Sequence, residues 1–356
     1  MGLVMLASAS YAYALSNKGN SYHYIARQAI WAVLGLVLMF LASIVDYKIF
    51  HKLSIPIWLF CLVLLVWALL VDTKDAHRWI YFAGVQFQPS EIAKFSLVIL
   101  LAHVMSIYYR DKYDTFWGGF GLFGTCGLIL GITALLIILE PHISCTIIVC
   151  LMCGYMMVAG GIRARWIVIL LVVGAAAILF VIFSGKISYS GGRVGVWLDP
   201  FNYPDKDASH QTRQSLYAIG SGGLFGLGLG NSRQKYLYLP EPQNDFIFAI
   251  ICEEFGFIGA LIVILIFALL VWRGIVISLR APDKFGMLVG MGLTVQVGIQ
   301  ALLNIAVVTN SIPNTGISLP FFSYGGTSLS MLLAQMGIIL SISRTARIQK
   351  VDRRMK

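Results

Sequence analysis

Long apolar segments alternate with short polar ones along almost the whole chain, and one long polar stretch interrupts the alternation. The apolar segments are about 15 to 25 residues long, and an α-helix needs about 20 residues to cross the core of a bilayer. The pattern predicts about ten transmembrane helices. They cover residues 1–15, 27–45, 54–71, 89–108, 120–139, 143–159, 166–184, 246–271, 286–308 and 323–342.

Composition supports the same fold class. Of the 356 residues, 58% are hydrophobic and only 12% are charged, and the mean hydropathy is +0.82. A soluble domain has roughly 25% charged residues. We therefore predict an all-α polytopic membrane protein with one membrane domain, residues 1–356, and no separate soluble domain.

The net charge of +10 would suggest nucleic-acid binding in a soluble protein. Here the basic residues lie mostly in loops and in the tail, where membrane insertion requires them, so no nucleic-acid partner is predicted. The six cysteines all fall in apolar segments, which favours a packing role over disulfides or a metal site. They are Cys61, Cys126, Cys145, Cys150, Cys153 and Cys252.

Basic residues also predict the orientation, because lysine and arginine in short loops stay on the cytoplasmic side. Most of them lie in one set of loops and in the tail, residues 343–356. Both termini are therefore predicted to be cytoplasmic, with residues 185–245 forming one long extracytoplasmic loop between helices 7 and 8. Before the tail, the basic residues on the cytoplasmic side are Lys48, Lys52, Arg110, Lys112, Arg163, Arg165, Arg273, Arg280 and Lys284.

The first apolar segment, residues 1–15, is short for a full crossing. No basic residues precede it, as they would in a signal peptide. We expect either a shortened first helix or a chain whose true start lies upstream.

The polar stretch, residues 186–254, concentrates the candidate chemistry. A loop of this length in a membrane protein typically carries recognition or catalysis. Asp245 is the first candidate, since it is an acid placed where the loop meets the bilayer. Arg193, Arg213 and Lys235 could bind a phosphate or pyrophosphate, although each could equally be a solvated loop cation.

A glycine run precedes Asp245, but it fits neither the dinucleotide-binding nor the P-loop spacing, and no predicted strand precedes it. It predicts close backbone packing or a re-entrant segment buried in protein. Glu253 and Glu254 point about 100° apart on the eighth helix, and we interpret them as buried hydrogen-bond anchors rather than catalysts. The glycines are Gly220, Gly222, Gly223, Gly226, Gly228 and Gly230.

Charged residues also open the fourth helix. Glu91 and Lys94 are three residues apart, so they share a helix face and can pair. Charges at membrane depth face a cavity or each other; the pair is therefore either a structural ion pair or a charged wall of a substrate cavity. Trp79, just before this helix, belongs either to an interfacial aromatic belt or to a stacking surface for a sugar or lipid headgroup.

Several groups of residues match one protein family in wording and in order. By them the sequence resembles the SEDS proteins (shape, elongation, division, sporulation) of bacterial cell-wall synthesis over essentially the whole chain. Residues 240–245 resemble the FtsW/SpoVE branch more than RodA. The matching residues are 88–91 with Lys94, 214–216 with 218–220, 226–232 with 234–235, 239–241, 244–249, 315–317, 319–320 and 323–329.

The resemblance implies ten transmembrane helices and a peptidoglycan glycosyltransferase. Such an enzyme polymerises lipid II, an undecaprenyl-pyrophosphate-linked substrate, at the outer leaflet of the bacterial cytoplasmic membrane, with a class B penicillin-binding protein as partner. The expected role is in division, sporulation or elongation. The match begins partway into the family's first helix.

The family's essential acid corresponds to Asp245. A carboxylate there can act as the general base for the acceptor hydroxyl, and inversion at the sugar implies one displacement without a covalent enzyme intermediate. Cations near the leaving pyrophosphate would stabilise its charge. The further substrate-binding candidates are Arg193, Arg213, Lys235, Glu91, Lys94, Trp79, Gln214 and Ser323.

Two other functions stay open. The chain could be a lipid II flippase or a non-catalytic activator of a penicillin-binding protein. In a flippase, the polar residues within crossings could line a path, namely Glu91, Lys94, Glu253, Glu254, Gln296, Gln300 and Asn304. A transporter would concentrate polar residues near the midplane of several helices and often has an inverted repeat, which this sequence lacks. No cofactor is evident; a divalent cation, Mg²⁺ or Mn²⁺, could share the task of charge stabilisation.

Overall fold

The computed structural model describes residues 1–71, 79–82, 85–108, 116–140, 142–162, 166, 168 and 188–355. These residues form eleven helices and one antiparallel pair of strands. The helices are α1 (Gly2–Lys18), α2 (His23–Ile44), α3 (Ile49–Leu70), α4 (Pro89–Tyr108), α5 (Phe116–Leu139), α6 (Ile143–Ala159), α7 (Ser188–Leu198), α8 (Lys206–Gly222), α9 (Ile247–Leu279), α10 (Lys284–Val308) and α11 (Gly326–Met355).

Seven of these helices are long and apolar enough to cross a membrane, namely α2, α3, α4, α5, α9, α10 and α11. The apolar helix α6 is shorter, with 17 residues, and α1 has the same length. These helices confirm the prediction of an all-α polytopic membrane protein. Of the predicted segment at residues 166–184, only Trp166 and Val168 are among the described residues. The loop cations Arg110, Lys112, Arg163 and Arg165 also lie outside the described residues.

One short hairpin departs from the helical pattern. Strands β1 (Ile80–Phe82) and β2 (Val85–Phe87) pair just before α4, with Ile80 opposite Phe87. Trp79 directly precedes the hairpin and is partly buried.

The predicted long loop is partly helical, since α7 and α8 both lie within it and pack against each other. At the start of α8, the Asp205 carboxylate accepts hydrogen bonds from the backbone N–H groups of Asp207 and Ala208, both at 3.1 Å. Aspartate is a favoured N-cap because it satisfies donors that have no partner within the helix. The polar composition of residues 206–222 does not indicate a helix, whereas the capping residue Asp205 does.

Two compact units divide the chain. The first comprises Met1–Ala32, the described part of Val172–Leu269, and Gln300–Gly326. The second comprises the described parts of Val33–Leu171 and Thr327–Lys356, together with Leu270–Ile299. In the second unit, α4 packs against α3, α5 and α6 around a core of buried aliphatic side chains and cysteines. A single membrane domain over residues 1–356 stays a prediction.

Cysteine residues pack as the sequence predicted. Five of the six are buried, and all six are free thiols. The exception to burial is Cys150, which is exposed on the apolar helix α6.

Candidate active site

Asp245 is held by its backbone directly before the start of α9. Asn304 on α10 is fully buried, and its side-chain amide donates to the carbonyl oxygens of Asp245 at 2.7 Å and Ile317 at 2.6 Å. One amide therefore ties the start of α9 to the segment that leads towards α11. A buried amide with two short hydrogen bonds leaves little freedom for the groups that it joins.

Gly316 lies against the Asp245 carboxylate. A Cβ atom built on Gly316 would be 3.3 Å from Oδ2 of Asp245, and the glycine has a φ of +70°. Glycine adopts this left-handed conformation without the steric cost that a side chain would add. The Asp245 side chain is half-buried, and its carboxylate has the Gly316 backbone on one side.

The segment that carries Gly316 is fixed in turn by α7 and α8. Trp197 on α7 donates from Nε1 to the Asn310 carbonyl at 3.0 Å, and Asn310 donates back from Nδ2 to the Trp197 carbonyl at 3.1 Å. On α8, Ser215 donates to the Val308 carbonyl at 2.9 Å. Helices α7 and α8 therefore hold residues 308 and 310, which lead to the Gly316 that contacts Asp245.

The three predicted cations have different surroundings. Arg193 donates from Nη1 to the Asn314 carbonyl at 3.1 Å, two residues before Gly316. Arg213 donates from Nη2 to the Lys206 carbonyl at 2.9 Å, within α8. Lys235 is almost fully buried and bonds to protein side chains, described next. Binding of a pyrophosphate by any of the three stays a prediction.

Two adjacent carboxylates on α9 attach residues 232–235 to that helix. Glu253 accepts hydrogen bonds from the Ser232 hydroxyl and from the backbone N–H groups of Arg233 at 3.0 Å and Gln234 at 3.3 Å. Its neighbour Glu254 has no solvent exposure either. The prediction of buried hydrogen-bond anchors is confirmed.

Glu254 forms a buried ion pair. Its Oε1 atom is 2.9 Å from Nζ of Lys235 and accepts a hydrogen bond from the Ser8 hydroxyl on α1 at 2.6 Å. Nζ of Lys235 also donates to Ser8 at 3.0 Å. Sequence spacing gave no sign of this pair, because its members come from an irregular segment and a helix.

Side-chain and backbone hydrogen bonds fix the turn at residues 241–244, directly before Asp245. Glu241 has a φ of +47°, and its carboxylate accepts hydrogen bonds from the Tyr13 hydroxyl at 3.2 Å and from Nδ2 of Asn244 at 2.9 Å. The backbone N–H of Tyr324 donates to the Gln243 carbonyl at 2.8 Å. A non-glycine residue in this conformation is uncommon, and the two side-chain contacts hold it there.

Glu91 and Lys94 form the ion pair that their spacing predicted. Nζ of Lys94 lies 2.7 Å from Oε1 of Glu91, and both side chains are nearly buried. Ser328 on α11 donates to the other Glu91 oxygen at 3.3 Å. These residues belong to the second unit, and their contact with substrate stays a prediction.

Two further candidates have local structural roles. Ser323 accepts a hydrogen bond from the Leu319 N–H at 2.8 Å and so closes the turn before α11. Gln214 is half-buried on α8. Among the residues that the structure describes, no three His, Cys, Asp or Glu side chains gather as a ligand set for a metal ion.

Known sequences match this chain over nearly its whole length. The FtsW/RodA/SpoVE family model, described as "Cell cycle protein", matches residues 1–348. Stage V sporulation protein E of Bacillus subtilis (strain 168) is 38% identical over 351 residues, which cover 98% of this chain and 94% of the relative. The probable peptidoglycan glycosyltransferase FtsW of Geobacter sp. (strain M18) is 36% identical over 350 residues, covering 97% and 94%.

Solved structures of related proteins also match the fold of this chain. A chain from the study "Structural coordination of polymerization and crosslinking by a peptidoglycan synthase complex" matches with a TM-score of 0.77 and 26% identity, over 97% of both chains. The crystal structure of the rod shape determining protein RodA of Thermus thermophilus matches with a TM-score of 0.67 and 25% identity, over 96% of this chain and 94% of that one. The chain belongs to the FtsW/RodA/SpoVE family, as its resemblance to the SEDS proteins predicted.

Proposed function

We propose that this membrane protein is a peptidoglycan glycosyltransferase that polymerises lipid II, with Asp245 as its general base. The observation that carries the proposal is the half-buried side chain of Asp245 directly before α9. Asn304 holds its backbone, and Gly316 lies against its Oδ2 atom. Relatives of this chain that are named peptidoglycan glycosyltransferases support the reaction class.

The proposed reaction is a single displacement at the anomeric carbon of the donor sugar. The acceptor hydroxyl oxygen forms the new C–O bond while the bond to the pyrophosphate oxygen breaks, and its electron pair leaves with the lipid pyrophosphate. Asp245 takes the proton of the acceptor hydroxyl. A positioned carboxylate base typically contributes about 10²- to 10⁴-fold to the rate.

Arg193 is the cation best placed to stabilise the leaving group. Its guanidinium lies on the segment that carries Gly316, and guanidinium N–H groups match phosphate oxygens in bidentate geometry. Lys235 ranks behind Arg193 in this proposal, since its ammonium group is paired with Glu254. A divalent cation could add to this stabilisation, and loss of activity on chelation with recovery on Mg²⁺ or Mn²⁺ addition would test that part.

The proposed site faces the outer side of the bacterial cytoplasmic membrane, with both termini in the cytoplasm. The distribution of basic residues supports this orientation. The proposed partner is a class B penicillin-binding protein that cross-links the glycan strands. A TM-score of 0.77 to a chain of a peptidoglycan synthase complex supports an assembly of this kind.

The alternative function is lipid II transport along buried polar residues of α10. Asn304 donates to two carbonyl groups, Gln300 donates to the Ser318 carbonyl at 3.1 Å, and Gln296 donates to Gln335 at 3.3 Å. These amides connect segments of the protein, which favours a structural role over a translocation path.

A reconstituted assay separates the functions. The purified protein would be combined with labelled lipid II and its cognate penicillin-binding protein, which carries an inactive transpeptidase and lacks a glycosyltransferase domain. Polymer on a gel is the expected result. Transfer of lipid II across liposomes without polymer would instead establish a flippase. Neither polymer nor transfer here, with polymer appearing only when a partner that has its own glycosyltransferase domain is supplied, would establish an activator.

A further inference from the structure

The helix α9 is interrupted at Gly256, where φ is 65° and ψ is −165°. In a regular helix each N–H donates to the carbonyl four residues earlier. Past this point, the N–H of Phe257 donates instead to the Gly223 carbonyl at 2.8 Å, and the N–H of Ile258 to the Leu224 carbonyl at 3.2 Å. The interruption therefore gives two donors of α9 to residues 222–230, which we call the glycine segment.

The same segment takes up the carbonyl groups that the interruption releases. The N–H of Leu227 donates to the Glu253 carbonyl at 2.9 Å, and the N–H of Gly228 to the Glu254 carbonyl at 2.9 Å. In hydrocarbon, unsatisfied backbone groups cost several kcal/mol each, so non-helical backbone needs partners within the protein. These hydrogen bonds meet that requirement.

The backbone of the glycine segment lies so close to that of α9 that three positions require glycine. A Cβ atom on Gly222 would lie 2.0 Å from the Cys252 carbonyl oxygen, and one on Gly226 would lie 2.2 Å from the Glu254 carbonyl oxygen. A Cβ on Gly256 would lie 2.4 Å from the backbone nitrogen of Gly226. The predicted close backbone packing of the glycine run is thus confirmed for Gly222 and Gly226.

The uncharged run of α9 that follows these contacts indicates that the glycine segment lies at membrane depth. Residues 255–272 carry no charged side chain and lie between Glu254 and Arg273. At 1.5 Å per residue, such a run extends for about 27 Å, close to the roughly 30 Å core of a bilayer. Phe257 and Ile258, which bond to the segment, are therefore just inside the hydrocarbon boundary.

Apolar side chains of the segment point away from the protein at that depth. Leu224 is 64% exposed, Phe225 is 79% exposed and Leu229 is 53% exposed. Phe257 and Ile258, whose backbones pair with the segment, are exposed too and belong to the lipid-facing surface of α9. The exposed apolar surface of the segment is continuous with that of a membrane-spanning helix.

We propose that residues 222–230 form a re-entrant segment whose Leu224, Phe225 and Leu229 side chains lie among the acyl chains of the outer-leaflet phospholipids. The sequence alone predicted a re-entrant segment buried in protein, whereas this surface fits lipid. Glu253 holds residues 233 and 234, directly after the segment, so the lipid-facing segment begins the stretch that ends at Asp245. The proposal does not depend on the catalytic role of Asp245.

Site-directed spin labelling tests the proposal directly. A nitroxide would be attached at Phe225→Cys in a Cys150→Ala background, which removes the exposed native thiol. Matched controls are Leu265→Cys, on the apolar exposed face of α9, and Asp207→Cys, on the exposed start of α8. The protein would be reconstituted in vesicles of phosphatidylethanolamine and phosphatidylglycerol, and the label's collisions with oxygen and with a water-soluble nickel chelate would be measured.

Oxygen concentrates in hydrocarbon, and the chelate stays in water. The expected result is a label at position 225 that favours oxygen, like the label at 265. A label that favours the chelate, like the one at 207, would overturn the proposal. Shielding from both reagents would also overturn it, because a protein neighbour would then cover the surface. If the Phe225→Cys protein does not fold, Leu229→Cys provides the same test.

Discussion

Two buried lysine–glutamate pairs show two ways in which this chain places charge inside its fold. Glu91 and Lys94 are one helical turn apart on α4, and helix geometry alone brings them to 2.7 Å. Lys235 and Glu254 are 19 positions apart, and they meet at 2.9 Å because residues 227–234 are bonded to α9. The first pair follows from sequence spacing, whereas the second exists only in the assembled structure.

The surroundings of the pairs differ as well. The Glu254 side chain has no solvent exposure, whereas that of Glu91 is 10% exposed. Solvent screening weakens the interaction of exposed charges and reduces the cost of leaving one unpaired. We therefore expect the assembled pair to contribute more to stability than the local pair does.

The largest expected effect is that of Lys235→Ala. The substitution leaves the Glu254 carboxylate buried without its cation, and breaking a buried pair in this way costs about 3–5 kcal/mol. Denaturant titration of the protein in mixed micelles would measure the free energy of unfolding. The double variant Lys235→Ala/Glu254→Gln should recover part of the loss. A cost below about 1 kcal/mol for the single variant, typical of exposed pairs, would show that water reaches this pair.

A smaller effect is expected for Gly226→Ala, which disturbs the backbone contact that brings the assembled pair together. The new Cβ would lie 2.2 Å from the Glu254 carbonyl oxygen at a φ of +81°, and overpacking of this kind costs about 1–3 kcal/mol. Gly220→Ala is the matched control, because a Cβ there meets nothing within 4 Å. Equal thermal unfolding midpoints for the two variants would contradict the close contact.

A still smaller change in the free energy of unfolding is expected when the local Glu91–Lys94 pair is altered. Glu91→Ala should destabilise the protein more than Glu91→Gln, since glutamine keeps an acceptor for Ser328 and Lys94. The expected difference is about 1 kcal/mol, the net value of a typical hydrogen bond. Denaturant titration of both variants would measure it. Equal effects would argue that the pairing contributes nothing to stability.

The sequence pattern predicts those structural features that depend on residues close together in the chain. Hydropathy located the described transmembrane helices, and the spacing of Glu91 and Lys94 predicted their ion pair. The adjacent acids Glu253 and Glu254 were recognised as buried anchors because a charge in an apolar helix needs a partner.

The remaining features depend on contacts between distant segments. Asn304 lies 59 positions from Asp245, and nothing in its neighbourhood indicates which carbonyl groups it binds. The sequence predicts Lys235 as either a phosphate-binding or a solvated loop cation, and its contact with Glu254 depends on the fold of the glycine segment. The apolar residues of that segment were too few for a transmembrane pattern, so their proposed contact with lipid required the structure.

The general-base role of Asp245 is the central claim, and polymerisation by Asp245→Asn tests it most directly. Asparagine is nearly isosteric, so folding should be retained, and equal thermal unfolding midpoints would verify this. Asp207→Asn, an exposed acid on α8, is the control. At saturating labelled lipid II with the inactive-transpeptidase partner, we predict a rate at least about 10²-fold lower for Asp245→Asn and a wild-type rate for the control. Wild-type polymerisation by a folded Asp245→Asn protein would contradict the account.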